Sequence, residues 1–291
     1  MSKTILAQQQ FRYKHTFQLK RIISYLAWIL MIIYGMLTIY PLFWLMISAF
    51  KSNAQFFNEP FALPDQWNYS NFITAWTTSK MGRAFLNSTY VSLFALALTL
   101  FLSSLTSYVI ARFSFKLKGA TLLFFVIGML IPIHSTLVPL FILMKQLKIL
   151  NTHLALILPY TAFALPTAIF ILTAYLREVP KEIEEAAYID GASLWGVFFR
   201  IMLPISLPAL STVSILTFLH SWNDFSFALV FISKSTLKTL PLAVSNFADG
   251  FQVDYSLTLA AMTLSVVPTI IIYLLFQEQV MKGMTAGAVK G

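Results

Sequence analysis

From residue 22 to residue 50 the chain runs 29 residues without an Asp, Glu, Lys or Arg, and it does so again over 84–111, 119–144, 149–176, 201–223 and 255–277. A charged side chain at the centre of a helix in the bilayer costs about 2.5 to 3.5 kcal/mol. About 20 apolar residues, rising 1.5 Å each, cross about 30 Å of hydrocarbon. All six intervals are long enough, so the expected fold is all-α and integral to the membrane, with six transmembrane helices. A cleaved signal peptide competes for the first interval, but its apolar run is about twice the length of an h-region and no convincing cleavage site follows. It is read as a retained helix.

Composition agrees: 58% of the residues are apolar and 11% charged, against about 25% charged in soluble domains. The formal charge of +9 could suggest nucleic acid, but the basic residues sit at the ends of the apolar runs, as membrane flanks do. Nucleic acid is not an expected partner; membrane lipid is. With no cysteine and four scattered histidines, neither a disulfide framework nor a metal site is implied.

Lys and Arg divide unevenly between alternate loops, 13 on the side that holds both ends of the sequence and 7 on the other. The positive-inside bias therefore places both termini in the cytoplasm. The expected layout is an N-terminal tail at 1–21, a six-helix domain at 22–277 with a cytoplasmic loop at 177–200, and a C-terminal tail at 278–291. No repeat of 20 to 50 residues divides it.

Eight of the twelve prolines fall in or beside the spans: Pro41, Pro132, Pro139, Pro159, Pro166, Pro204, Pro208 and Pro268. Kinked helices suit a protein that opens and closes a cavity. Proton-coupled transport relies on charged residues inside the membrane, and the intervals hold only His134, His153 and His220 as titratable candidates, which read as packing residues. No Gly-Lys pair occurs, so a phosphate-binding loop is absent and any ATP-hydrolysing partner must be another chain.

The 177–200 loop is different, with eight charged residues, five of them acidic. A short helix is expected over 180–189, with Pro180 in its first turn and Glu182 and Glu184 favoured by its N-terminal dipole. Ile183, Ala186 and Ala187 form its small apolar face. Asp190-Gly191 stops it, and Ser193 is suited to cap a second helix carrying Trp195, Phe198 and Phe199.

The run Glu185-Ala186-Ala187-Tyr188-Ile189-Asp190-Gly191-Ala192, followed by Phe198, Ile201 and Leu203-Pro204, resembles the EAA motif of bacterial ABC importer permeases, EAAxxDGAxxxxxFxxIxLP, at every specified position. The whole chain is similar to the smaller permease subunit of maltose-type carbohydrate importers. The shared features are Tyr40-Pro41, Ser48-Ala49-Phe50-Lys51, Asn87-Ser88, Tyr108 to Arg112, Trp222-Asn223, and the tail from Gly283 to Gly291.

This resemblance implies the permease fold of methionine and maltose importers in a bacterial cytoplasmic (inner) membrane. The implied partners are a second homologous permease, two copies of an ATPase that hold the ATP and Mg, an extracytoplasmic solute-binding protein, and a sugar substrate. The chain itself would bind no cofactor and be no enzyme. Glu185, Ala186, Ala187, Asp190, Gly191 and Ala192 would couple it to the ATPase, and Met284, Thr285, Ala286 and Gly287 of the tail would touch it. Ala248, Asp249, Gly250, Phe251 and Gln252 are the candidate contact with the binding protein. Substrate-binding residues are not legible. An importer for another small solute is the alternative, and a secondary transporter or a membrane-embedded enzyme fits less well.

Overall fold

The computed structural model describes the backbone over residues 2–78, 80–247 and 254–286, and side chains over 21, 23–78, 80–247 and 254–277. All of the described regular structure is helical. In order the helices are α1 (Ser2–Ser48), α2 (Asn53–Asn58), α3 (Ser70–Thr78), α4 (Met81–Arg112), α5 (Lys118–Gly128), α6 (Leu137–Gln146) and α7 (Leu154–Glu178). The chain continues with α8 (Glu182–Ile189), α9 (Leu194–Val197), α10 (Leu203–Ile205), α11 (Leu207–Asn223), α12 (Ser226–Phe231), α13 (Leu240–Val244) and α14 (Tyr255–Ala286).

Four of them contain continuous spans: Ile23–Ser48, Met81–Arg112, Leu154–Glu178 and Tyr255–Gln277. The other two, over 119–144 and 201–223, are bent more sharply than a kink. Lys118–Gly128 and Ile133–Gln146 meet at 92°, and Leu194–Ile205 and Leu207–Asn223 at 72°. Proline explains both breaks. Pro132 disfavours helical torsions at Ile131 and offers no N–H of its own, and Pro208, in the first turn of α11 and two residues after Ser206, offers no N–H to continue the preceding helix. With each pair counted as one, the spans number six.

Helix α4 packs along α7, and its contact stripe is small rather than greasy. Ser88, Ser92, Ala95, Thr99, Ser103 and Ser107 recur every three to four residues and are all buried. Small side chains let backbones approach where lipid tails provide no hydrophobic drive for association. Ser107 Oγ donates across the interface to the Ile169 carbonyl at 3.2 Å.

At the end of the bundle where α4 begins, short helices and loops close over the spans. Asn87 Nδ2 donates to the carbonyls of Thr236 (3.0 Å) and Lys238 (2.9 Å), while Ser88 Oγ accepts the Leu240 amide at 2.7 Å. Lys51 is fully buried there, its Nζ donating to the carbonyls of Glu59 and Pro60. Burial pulls its ammonium below the ordinary lysine range, against the nearby charges of Glu59 and Asp65.

Candidate functional site

The opposite end of α4 carries a charged cluster sealed from solvent. Arg112, in the last turn of α4, forms an ion pair with Glu184 of α8, the two side chains only 7% and 9% exposed. Tyr108, one turn earlier, donates to Glu184 Oε2 at 2.8 Å. Arg112 also donates to the Val179 carbonyl at 2.8 Å. A single span end thus holds both the approach to α8 and its first turn. Two charges buried together need their mutual attraction and extra hydrogen bonds to offset desolvation, and these contacts supply both.

That ion pair turns α8 over. By apolar pattern alone, Ile183, Ala186 and Ala187 would face inward. Instead Glu184 and Ala187 are buried, while Ile183, Ala186 and Tyr188 are exposed and Ile189 is 86% exposed. Glu185 and Asp190 also face outward. Ala187 packs into a cluster formed by Tyr108, Ala111, Leu176, Val197, Phe198 and Met202. The outward face is therefore mixed, apolar along 183, 186 and 189 and acidic at 182, 185 and 190.

The end of α8 is fixed by backbone geometry. Gly191 has φ +82°, its amide donates to the Tyr188 carbonyl at 3.0 Å, and the Ala192 amide donates to the Ala187 carbonyl at 2.9 Å. This is the pair of bonds of a Schellman turn, which requires a left-handed residue where Gly191 stands. Ser193 then caps α9 by accepting the Gly196 amide at 3.2 Å. Beyond it, Phe198–Met202 widens into a π-turn, next to Pro204, whose missing N–H interrupts the regular ladder. Phe198 is buried against Tyr108, their ring centroids 5.2 Å apart, so both arms of the loop rest on one span.

Of the expected coupling residues, Glu185, Ala186, Asp190 and Gly191 reach the surface, Ala192 is half-buried, and Ala187 turns inward. The segment Ala248, Asp249, Gly250, Phe251, Gln252 lies outside the described residues, as does Gly287; Met284, Thr285 and Ala286 continue the α14 backbone. The anchor of Tyr108, Arg112 and Glu184 is the part of the site that sequence reasoning missed. The charge-free interval ends at residue 111, so an arginine at 112 read as a membrane flank.

Residues 100–286 match the family of the binding-protein-dependent transport system inner membrane component. The chain is 40% identical to a probable ABC transporter permease protein, YurM, of Bacillus subtilis, covering 91% of this chain and 88% of that one. It is 35% identical to the diacetylchitobiose uptake system permease protein NgcG of Streptomyces coelicolor, over 89% and 86% of the two chains. Its fold is that of a permease from the crystal structure of a bacterial ABC transporter that imports the acidic polysaccharide alginate, with a TM-score of 0.79 at 19% identity over 89% and 96% of the two chains.

Fold and surface helix together define a multi-pass membrane permease. The chain belongs to the inner membrane components of binding-protein-dependent transport systems: it is the permease subunit of an ABC importer and not itself an enzyme.

Proposed function

We propose that this permease imports a sugar or oligosaccharide into the cytoplasm, and that α8 is the element through which ATP hydrolysis in partner subunits moves the spans. The observation that carries the coupling role is the inverted seating of α8. A helix anchored through its charged side presents Ile183, Ala186 and Ile189 to its surroundings, an apolar ridge of the kind a helix lays into an apolar groove. Glu185 and Asp190 at its margins suit basic residues in an ATPase cleft. The sugar assignment draws on relatives such as the diacetylchitobiose uptake permease and a melibiose, raffinose and stachyose import permease.

In this reading α8 and both termini lie in the cytoplasm, a second homologous permease completes the pathway, and two ATPase copies holding ATP and Mg sit beneath. A solute-binding protein docks at the opposite face; a solved bacterial alginate ABC transporter is likewise in complex with a periplasmic protein. The 248–252 segment is the candidate contact with it, and 284–287 the candidate contact with the ATPases. The test is transport by the complex reconstituted with its binding protein, against a panel of neutral sugars, uronates and amino acids. ATP-dependent uptake of a neutral sugar is expected; uptake of amino acids alone would overturn the substrate assignment.

A further inference from the structure

The break between α5 and α6 lies deep in the bundle. A β-carbon on Gly128 would stand 3.2 Å from Cγ of Pro166, and Pro166 is the middle residue of α7, equally far from Leu154 and Glu178. Yet Met129, Leu130 and Ile131, the residues of the break, are 43%, 76% and 48% exposed on this chain. Their amides turn back on the carbonyls of Phe125, Ile127 and Gly128, yet irregular backbone at mid-membrane depth belongs where it borders protein or a watered cavity rather than hydrocarbon. This side of the bundle is therefore not a lipid face.

Beside the break lies a cavity of about 320 Å³, walled in part by Ile133, Phe163, Thr167, Thr217 and His220. Its size falls at the lower end of small-molecule sites, about 300 to 1,000 Å³. Several hydroxyls elsewhere on these helices close back on their own backbone, although Thr173 of α7 is buried without a partner. Ser211, Ser214 and Ser221 of α11 and Thr161 of α7 each donate to the carbonyl four residues earlier. Thr167 and Thr217 do not, and among the described residues neither their side chains nor that of His220 make a hydrogen bond. Local closure is the ordinary resort of a helical threonine in apolar surroundings. Two that stay open on one cavity leave their hydroxyls available to an occupant.

The lining holds no Asp, Glu, Lys or Arg, so nothing in it fixes an ionised group. His220 is exposed, and an ionisable side chain at this depth faces a cavity or a protein neighbour rather than lipid. Phe163 adds a flat apolar surface. Open hydroxyls, an imidazole and an aromatic ring without a charge suit a solute that is rich in hydroxyls and uncharged. We infer that this mid-membrane cavity is a contact site for a neutral sugar ring in transit, with Thr167, Thr217 and His220 bonding its hydroxyls and Phe163 covering its C–H face. The inference rests on the sugar-importer reading and assigns part of the translocation pathway to this subunit.

The complete complex in proteoliposomes, with its binding protein, provides the test. Because the chain has no native cysteine, Thr167→Cys and His220→Cys can each be probed, in complexes whose partner subunits have been freed of reactive cysteine, with a small water-soluble thiol reagent. Labelling is expected, and the transported sugar should slow it. Separately, Thr167→Val with Thr217→Val, near-isosteric changes that remove two hydrogen bonds of about 1 kcal/mol each, should raise the KM for uptake by about 10-fold or more. Cysteines that resist the reagent, or that sugar fails to protect while the wild-type complex imports it, would overturn the site and leave the importer reading intact. A wild-type complex that imports another solute and no sugar would sink that reading and the site with it.

Discussion

Arg112 and Glu184 face each other across the junction between the longest uninterrupted buried span and the surface helix, and Tyr108 shares the same carboxylate. Removing one partner leaves the other charge buried and unpaired, a loss of about 3–5 kcal/mol. Glu184→Ala and Arg112→Ala should each free α8 and abolish transport while the spans still insert. Replacing both, as Arg112→Met with Glu184→Leu, should restore much of the lost stability, because no orphan charge remains. Thermal unfolding of the purified complex measures this. A double variant as unstable as the two single losses added together would show that the pair does not act as a unit.

The seating of α8 separates two adjacent alanines. Ala186 is exposed and Ala187 is packed against Tyr108 and Phe198, so a cysteine at Ala186 should crosslink to a cysteine in the ATPase cleft, and one at Ala187 should not. Crosslinking from Ala187 and not from Ala186 would require α8 to roll by about one residue, or 100°.

At the other end of the bundle, Asn87 alone ties the start of α4 to two carbonyls of the loop before α13. Asn87→Ala removes both bonds and leaves two carbonyls short of a donor, which costs about 2 kcal/mol. Lower thermal stability is the expected outcome, with ATP hydrolysis by the partner subunits little changed. Unaltered stability would mean that water replaces the amide there.

Much of this was legible from the chain alone. Uncharged length gave the spans, because a buried charge costs the same in any sequence, and Asp190-Gly191 and Ser193 marked a turn and a cap whose chemistry is local. The failures are tertiary. Pro132 and Pro208 were visible, but whether a proline kinks a span mildly or breaks it by 92° depends on what its neighbours accommodate, here Gly128 against Pro166. The apolar face of α8 was misread for a similar reason. An eight-residue helix has too few positions for periodicity to outweigh one buried ion pair, and the partner in that pair lies on another helix. The family resemblance marked Asn87-Ser88 and Tyr108 to Arg112 without a reason; the structure supplies it, since both pairs tie α4 to the segments that close its two ends.

Gly191 offers the sharpest test of whether α8 must be held in one orientation. A β-carbon there would meet no atom within 4 Å, so any penalty comes from torsion and not from collision. The left-handed conformation costs an ordinary L-residue about 1–2 kcal/mol, a β-branched one more, and asparagine less. Gly191→Val should therefore abandon φ +82° and lose the Ala192 to Ala187 bond that ends the helix. The ion pair to Arg112 would still hold the first turn, so α8 should stay attached and swing at its far end. Membrane level should be unchanged, transport should fall, and crosslinking from Ala186 should weaken. Gly191→Asn should retain most activity and Gly191→Ala should lie between. Glu185→Ala should reduce transport by removing an outward charge, whereas Lys181→Ala, before the helix and away from its exposed apolar ridge, should have little effect. The ordering Asn, Ala, Val is the measurement that matters, taken as ATP-dependent uptake at equal protein level. If valine transports as well as asparagine, the turn tolerates other torsions and α8 does not act as a rigid arm.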